Sequence, residues 1–341
     1  MIPNGREVLR TRRHLEAGFS LIEVMAALVI LSIALTAVFA TFISQQKSFT
    51  IQNRVAEMQA NLRQAVEYIS RDIRLAGYGI PGNVSMPAGT VAVGVTPMRW
   101  LYPSDNATGP DQLYLLYRFD MDANQPPTLL SADMGTVSAT ISVNSITSFN
   151  NGDLILVTDN AISTADLFKI TAAPNGTTLP HDTNGYNASS LHPTFPAGGY
   201  IVSPAAMVAK ARFVRYFIDS TTDPSHPTLM VDRMTGASPQ PVADDIEDMQ
   251  VQYNMDTDGN GALETVGVNN PATGNSGVTG IALNPSQIRQ VRLLFIARSR
   301  LPEAGWSETR PALGNRPAGT SPDGYRRRIY DIVIDVRNSG A

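Results

Sequence analysis

The feature that most constrains this chain is an apolar run that follows Gly18 and extends to Ile43. Glu23 is the only charged residue in these 25 residues. As a helix the run would be roughly 37 Å long at 1.5 Å of rise per residue, which is enough to cross a bilayer core. Arginines precede it, and such basic flanks remain on the cytoplasmic side of the membrane. They are Arg10, Arg12 and Arg13. We therefore expect residues 19–43 to span the inner membrane and the C-terminal remainder to lie in the periplasm.

Two ordinary explanations of the run leave part of it unexplained. A cleavable secretory signal has an apolar core of about 7–15 residues and a small-residue cleavage site, whereas this run is longer and no A-x-A pattern follows it directly. A simple signal anchor fits the length but not Glu23. A carboxylate inside an apolar span costs about 2.5–3.5 kcal/mol on insertion scales, so it is expected to have a function and a partner.

The sequence G-F-S-L-I-E from Gly18 to Glu23, behind a short basic leader, resembles the class III signal of type IV pilins and type II secretion pseudopilins. In that family a prepilin peptidase cleaves after the glycine, here Gly18, and methylates the new N-terminal amine, here that of Phe19. The resemblance implies that residues 1–18 are a leader. It also implies that Glu23 pairs with the N-terminal amine of a neighbouring subunit.

A helix is expected to continue beyond the membrane span, over residues 44–76. Apolar residues recur there at intervals of three and four, with charged residues between them, and no Pro or Gly interrupts residues 19–76. The apolar stripe comprises Val55, Met58, Leu62, Ala65, Ile69 and Ile73, and the intervening charges include Arg71 and Asp72. The cluster of glycine and proline that starts at Gly77 predicts the end of the helix.

Residues 77–341 are expected to form a β-rich domain with long loops, because short alternating segments follow one another without intervening helices. The whole chain is thus predicted to be α+β, with the long N-terminal helix packed on an antiparallel sheet. A surface loop is expected over 172–199 and a helical turn over Asp244–Met249. The predicted strands are Gln112–Phe119, Thr136–Val143, Asp153–Thr158, Leu167–Thr171, Tyr200–Val202, Ala211–Ile218, Thr228–Arg233, Met249–Asn254, Ile288–Arg298 and Ile329–Arg337.

Five segments along the chain resemble PilW-type minor pilins, and less closely the usually shorter J-type pseudopilins. They are residues 58–79, 152–159, 166–171, 244–253 and 325–338. The resemblance implies a minor pilin that incorporates into a type IV pilus, or primes its assembly, through the N-terminal helix. The implied partners are the prepilin peptidase, other minor pilins and the major pilin, the inner-membrane assembly platform and, for a subunit near the tip, an adhesin. The chain would reside in the inner membrane before assembly and in the pilus at the cell surface afterwards.

Two alternatives to a pilus subunit are left open. One is a J-like pseudopilin of type II secretion. The other is a membrane-anchored periplasmic binding or enzymatic domain that does not polymerise.

Composition and charge argue against several other classes of function. The full chain has a formal net charge of −4, and the leader has four Arg and two Glu, so the mature chain is near −6. No nucleic-acid partner is expected for so acidic a chain. The chain has no cysteine, so disulfides cannot stabilise it. None of the four histidines has metalloprotease spacing, and no nucleophile elbow or P-loop occurs, so we predict no enzyme.

The segment D-T-D-G-N-G-A-L-E, from Asp256 to Glu264, resembles the start of a calcium loop. The expected ligands are the side chains of Asp256, Asp258, Asn260 and Glu264 together with Ala262, and no other cofactor is expected. The twelfth position, which should be a bidentate Glu, is Gly267. An Asp/Asn/Gly turn between two strands would need the same residues, so a plain turn is the alternative.

Overall fold

The computed structural model describes residues 20–80, 83–85, 100–119, 126–161, 163–188, 192, 195–269 and 287–338. Gly18 and Phe19 therefore lie outside the described residues. Within the described part, one long helix, α1, runs from Leu21 to Leu75. The described residues up to Arg54 belong to one compact unit, and those from Val55 onward belong to a second unit.

The two segments of α1 differ in how their side chains are covered. Residues 21–50 are exposed, including the large apolar side chains of the run described above. From Met58 onward one side of the helix is buried, which confirms the predicted apolar stripe. The buried residues are Met58, Leu62, Ala65, Val66, Ile69, Ser70, Asp72 and Ile73.

Gly77 ends α1 because it adopts a backbone conformation that other residues rarely take. Its φ is +81°, and its amide donates to the carbonyl of Leu116 at 3.0 Å, which ties the helix end to a neighbouring strand. A Cβ atom at this position would lie 3.0 Å from the carbonyl oxygen of Asn338 and 3.1 Å from the ring of Trp100. Any side chain at residue 77 would therefore be strained and crowded.

The described residues of the second unit form seventeen strands and one short 3-10 helix, Gly185–Asn187. In chain order the strands are β1 Asn83–Ser85, β2 Leu101–Ser104, β3 Gln112–Arg118, β4 Thr128–Leu129, β5 Ile141–Ser142, β6 Leu154–Thr158, β7 Thr164–Lys169, β8 Thr178–Leu179, β9 Met207–Asp219, β10 Thr228–Asp232, β11 Gln240–Ala243, β12 Ile246–Met255, β13 Thr265–Val268, β14 Ile288–Arg298, β15 Glu308–Thr309, β16 Pro322–Asp323 and β17 Arg327–Asp335.

Two larger sheets are formed from these strands. The first has the order β1-β7-β6-β9-β10-β11, and β9 also pairs with β3 and β4, while β2 pairs with β3. The second has the order β13-β12-β14-β17. All pairs are antiparallel except β1 with β7. The main core contains the buried stripe of α1 and apolar side chains from both sheets. The structure thus confirms the predicted α+β class.

Three local predictions were wrong. Only Ile141–Ser142 of the predicted strand Thr136–Val143 is a strand, because its partner β8 has two residues. Tyr200 and Val202 form isolated bridges rather than a strand. No helical turn occurs over Asp244–Met249: Asp245 has a φ of +59°, and β12 begins at Ile246 because it pairs with β14 along its whole length.

Candidate functional site

The first turn of α1 gives Glu23 a local partner. The Glu23 carboxylate oxygen Oε2 accepts from the backbone amide of Ser20 at 2.9 Å and from its hydroxyl at 3.1 Å, and the Glu23 amide donates back to Ser20 Oγ at 3.3 Å. This reciprocal pattern is a capping box, which satisfies amides that the helix itself leaves free. Ser20 is the second residue after the predicted cleavage point, so the residue that binds Glu23 directly follows in sequence the one that cleavage would make N-terminal.

The acidic loop after β12 brings together three of the predicted calcium ligands. One ligand oxygen from each of Asp256, Asp258 and Glu264 lies within 4.8 Å of the others. The Asn260 side-chain oxygen instead accepts from the amide of Ala262 at 2.6 Å, and its amide group donates to Asp258 at 2.9 Å. Asn260 is therefore engaged within the loop.

Asp256 is the buried member of this cluster, whereas Asp258 and Glu264 are exposed. Its Oδ1 accepts from the amide of Gly259 at 2.7 Å, and its Oδ2 accepts from the amide of Gly261 and from Arg289 Nε, both at 3.2 Å. Burial acts to raise the pKa of Asp256, but these amides and the guanidinium group of Arg289 outweigh it and lower the pKa. The carboxylate is thus held in its charged form, which is the form that a cation needs.

Sequence reasoning missed a second polar cluster, in which Asp166 on β7 is buried between two partners. Its Oδ1 lies 2.9 Å from His192 Nδ1, and its Oδ2 accepts from the Tyr200 hydroxyl at 2.6 Å. Burial and the charge of Asp166 raise the pKa of Tyr200, so the phenol stays a donor. All three side chains are almost fully buried, so the cluster holds His192 and Tyr200 against β7 and is closed to a substrate. The three residues are too far apart in sequence to be recognised as a group.

Comparison with known proteins gives two family matches, one at each end of the chain. Residues 13–39 match the prokaryotic N-terminal methylation motif, which places the Gly18–Glu23 segment inside a recognised processing motif. Residues 215–338, from β9 through β17, match the type IV pilus-assembly protein W family, PilW. The chain is therefore similar to PilW-type, type IV pilin-like proteins over residues 215–338 and in its N-terminal methylation motif.

Two further comparisons add less. No curated protein matches the chain. Among solved structures it is similar to a type IV-like pilin, TTHA1219 from Thermus thermophilus, with 11% sequence identity, a TM-score of 0.35, and coverage of 83% of this chain and 97% of that one.

The two family matches bear on the kind of function and on membrane anchoring. A PilW-type pilin is a structural pilus component and not an enzyme. Among the described residues, α1 is long and apolar enough to cross a membrane, which is compatible with single-pass anchoring, as in pilins. The methylation motif also implies that a peptidase and pilus components contact the chain.

Proposed function

We propose that this PilW-type pilin is a minor pilin that incorporates into a type IV pilus, or primes its assembly, through α1. The observation that carries the proposal is the methylation motif at residues 13–39, which overlaps the start of a helix whose apolar run, up to Ile43, is exposed. Exposed apolar surface of this extent needs lipid or other helices to cover it. A filament of parallel helices supplies that cover after the subunit leaves the membrane.

In this proposal the leader faces the cytoplasm and the β-rich unit faces the periplasm until assembly moves the subunit to the cell surface. The prepilin peptidase cleaves after Gly18 and methylates Phe19. The subunit then contacts the major pilin, other minor pilins and the assembly platform, and an adhesin if it lies at the tip. The alternative is a J-like pseudopilin, which would use the same processing and helix in type II secretion. A membrane-anchored domain that does not polymerise would need the helix as its anchor but not the processing.

Mass spectrometry of the chain from piliated cells tests the processing step. We expect the mature chain to begin at a methylated Phe19, and a Gly18→Val variant to retain the leader and to be absent from sheared filaments. Gly5→Val is the matched control, since it changes a leader glycine outside the cleavage point and should be processed normally. A chain that keeps its leader in cells with an active peptidase would contradict the proposal. Loss of protein secretion with intact pili would favour the pseudopilin alternative.

We also propose that the Asp256–Glu264 loop binds calcium. The juxtaposition of Asp256, Asp258 and Glu264 supports it, and we expect the weak affinity of extracellular calcium modules, about 10⁻⁴–10⁻³ M. Arg289 would have to release one oxygen of Asp256, which further favours a weak site.

The calcium proposal predicts a higher melting temperature of the full chain in detergent at 5–10 mM calcium, by roughly 2–4 °C. The shift should disappear in Asp258→Ala, whose side chain is exposed and whose loss leaves the fold intact, and also in Asp256→Ala. Asp223→Ala, an exposed carboxylate outside the loop, should keep the shift. Magnesium at the same concentration controls for ionic strength. Equal shifts with both cations, or none with calcium, would refute calcium binding.

A further inference from the structure

A small recess lies between the buried end of α1 and the first sheet. It has a volume of about 50 Å³. The helix residues of the lining, Tyr68, Arg71 and Asp72, lie on one face of α1 because they are three and four positions apart. The residues contributed by each strand lie at alternate positions and so also share one face. The lining residues are Tyr68, Arg71, Asp72, Tyr117, Arg212, Val214, Val231 and Arg233. All of them belong to the second unit.

The lining carries an excess of positive charge. Three arginines face one acidic residue, Asp72. Within the described part of the chain, none of Arg71, Arg212 and Arg233 forms an ion pair at 4.0 Å or less. Arginines elsewhere in the same unit do form such pairs, for example Arg215 with Asp232 at 2.9 Å. The recess is therefore unusual for this chain, whose overall charge is negative.

Asp72 offsets only one of the three positive charges, and its oxygens are hydrogen-bonded to other partners than the arginines. Oδ1 accepts from the Tyr117 hydroxyl at 2.9 Å, and Oδ2 accepts from the Tyr216 hydroxyl at 2.6 Å. Burial raises the pKa of both phenols most strongly, and the charge of Asp72 raises it further. Both phenols therefore remain neutral donors. The aspartate is only 8% exposed. It acts as the floor of the recess.

Two of the three guanidinium groups are already held in place. The Arg212 guanidinium carbon lies 3.5 Å from the centroid of the Phe119 ring, and Arg233 Nη2 donates to the Tyr68 hydroxyl at 3.0 Å. Arg71 is exposed and is one turn of α1 from Tyr68. A guanidinium fork fits carboxylate and phosphate oxygens and binds them through two parallel hydrogen bonds. Since these arginines are partly positioned in advance, little conformational entropy is lost when an anion binds.

We propose that this recess binds a single oxyanion, a carboxylate or phosphate group, through Arg71, Arg212 and Arg233. A recess this small suits a single carboxylate or phosphate group. The two sources of this chemistry are a free anion, such as phosphate, and an acidic side chain of a neighbouring protein that inserts its carboxylate. Neither the pilus role nor calcium binding is needed for this inference.

Thermal unfolding of the full chain in detergent, titrated with inorganic phosphate at constant ionic strength set by sodium chloride, tests the proposal. We expect a saturable rise of about 3 °C when phosphate reaches ten times its Kd. Arg71→Gln and Arg233→Gln change exposed side chains, so both variants should fold. Each should weaken the apparent affinity about tenfold or more, because a charge-assisted hydrogen bond is lost. Arg74→Gln is the matched control, since it removes one exposed positive charge from the same helix outside the recess.

A parallel titration with the amide of N-acetylglutamate distinguishes the two sources. A stronger effect of phosphate indicates a free anion, whereas an equal or stronger effect of the glutamate derivative indicates an inserted acidic side chain. In both cases the effect must depend on Arg71 and Arg233. If neither compound gives a saturable shift, or if Arg71→Gln and Arg233→Gln respond like Arg74→Gln, the recess does not bind an oxyanion and the proposal is wrong.

Discussion

Replacing Glu23 by alanine is expected to remove the protein from sheared filaments, with the fraction of the chain found there falling at least tenfold. The carboxylate lies within an apolar span, where an unpaired charge costs about 2.5–3.5 kcal/mol. The proposed pilin role supplies an opposite charge, the N-terminal amine of Phe19 in an adjacent subunit. Loss of the carboxylate would leave that amine unpaired in an apolar surrounding. Immunoblots of filament and membrane fractions measure the outcome.

A Glu23→Gln variant separates two roles of this side chain. The structure shows Glu23 accepting hydrogen bonds from Ser20, and a glutamine at the same position of a capping box can also accept them. If charge pairing matters, Glu23→Gln should fail as Glu23→Ala does. If helix capping is sufficient, Glu23→Gln should assemble normally. Glu57→Ala, which removes an exposed carboxylate further along α1, is the matched control and should assemble. Normal assembly of Glu23→Ala would contradict the filament role.

Replacing Asp248 by alanine is expected to lower the free energy of unfolding by about 3–5 kcal/mol. Asp248 on β12 is fully buried, and its Oδ2 lies 3.2 Å from Arg310 Nη1 and 3.0 Å from Arg316 Nη1. Burial raises the pKa of Asp248, and the two guanidinium groups oppose the rise. Without the carboxylate, two largely buried positive charges would face each other without the anionic group that contacts both.

The same substitution should loosen the segment that follows β14. Leu313 in this segment packs on Leu294 and Ile296, so the ion pairs and the apolar contact hold it together against the second sheet. Chemical denaturation measures the stability, and Asp244→Ala, an exposed neighbour in sequence, should change it by no more than about 0.5 kcal/mol. A loss below about 1 kcal/mol in Asp248→Ala would show that the two arginines find other partners or water.

Much of the fold follows from patterns within short stretches of sequence. The stripe from Met58 to Ile73 repeats with the period of a helix, so the buried face of α1 could be predicted, and Gly77 ends the helix where expected. The strand Ile288–Arg298 was predicted with the bounds it has, because alternation is a local property. The processing motif at residues 13–39 is also contiguous and needs no tertiary information.

Features that depend on partners distant in sequence could not be predicted in this way. The sequence places Asp72 among the charged positions of α1. Its burial becomes favourable only because it accepts hydrogen bonds from the phenols of Tyr117 and Tyr216, which are 45 and 144 residues away in sequence. The register with β14 makes Ile246 the start of a strand although the residues before it suggested a helical turn. The sequence by itself therefore determined the N-terminal helix, its processing motif and the α+β class. The tertiary structure alone decided which charges are buried together, since the free energy of a buried charge depends on groups that only folding brings within hydrogen-bonding distance.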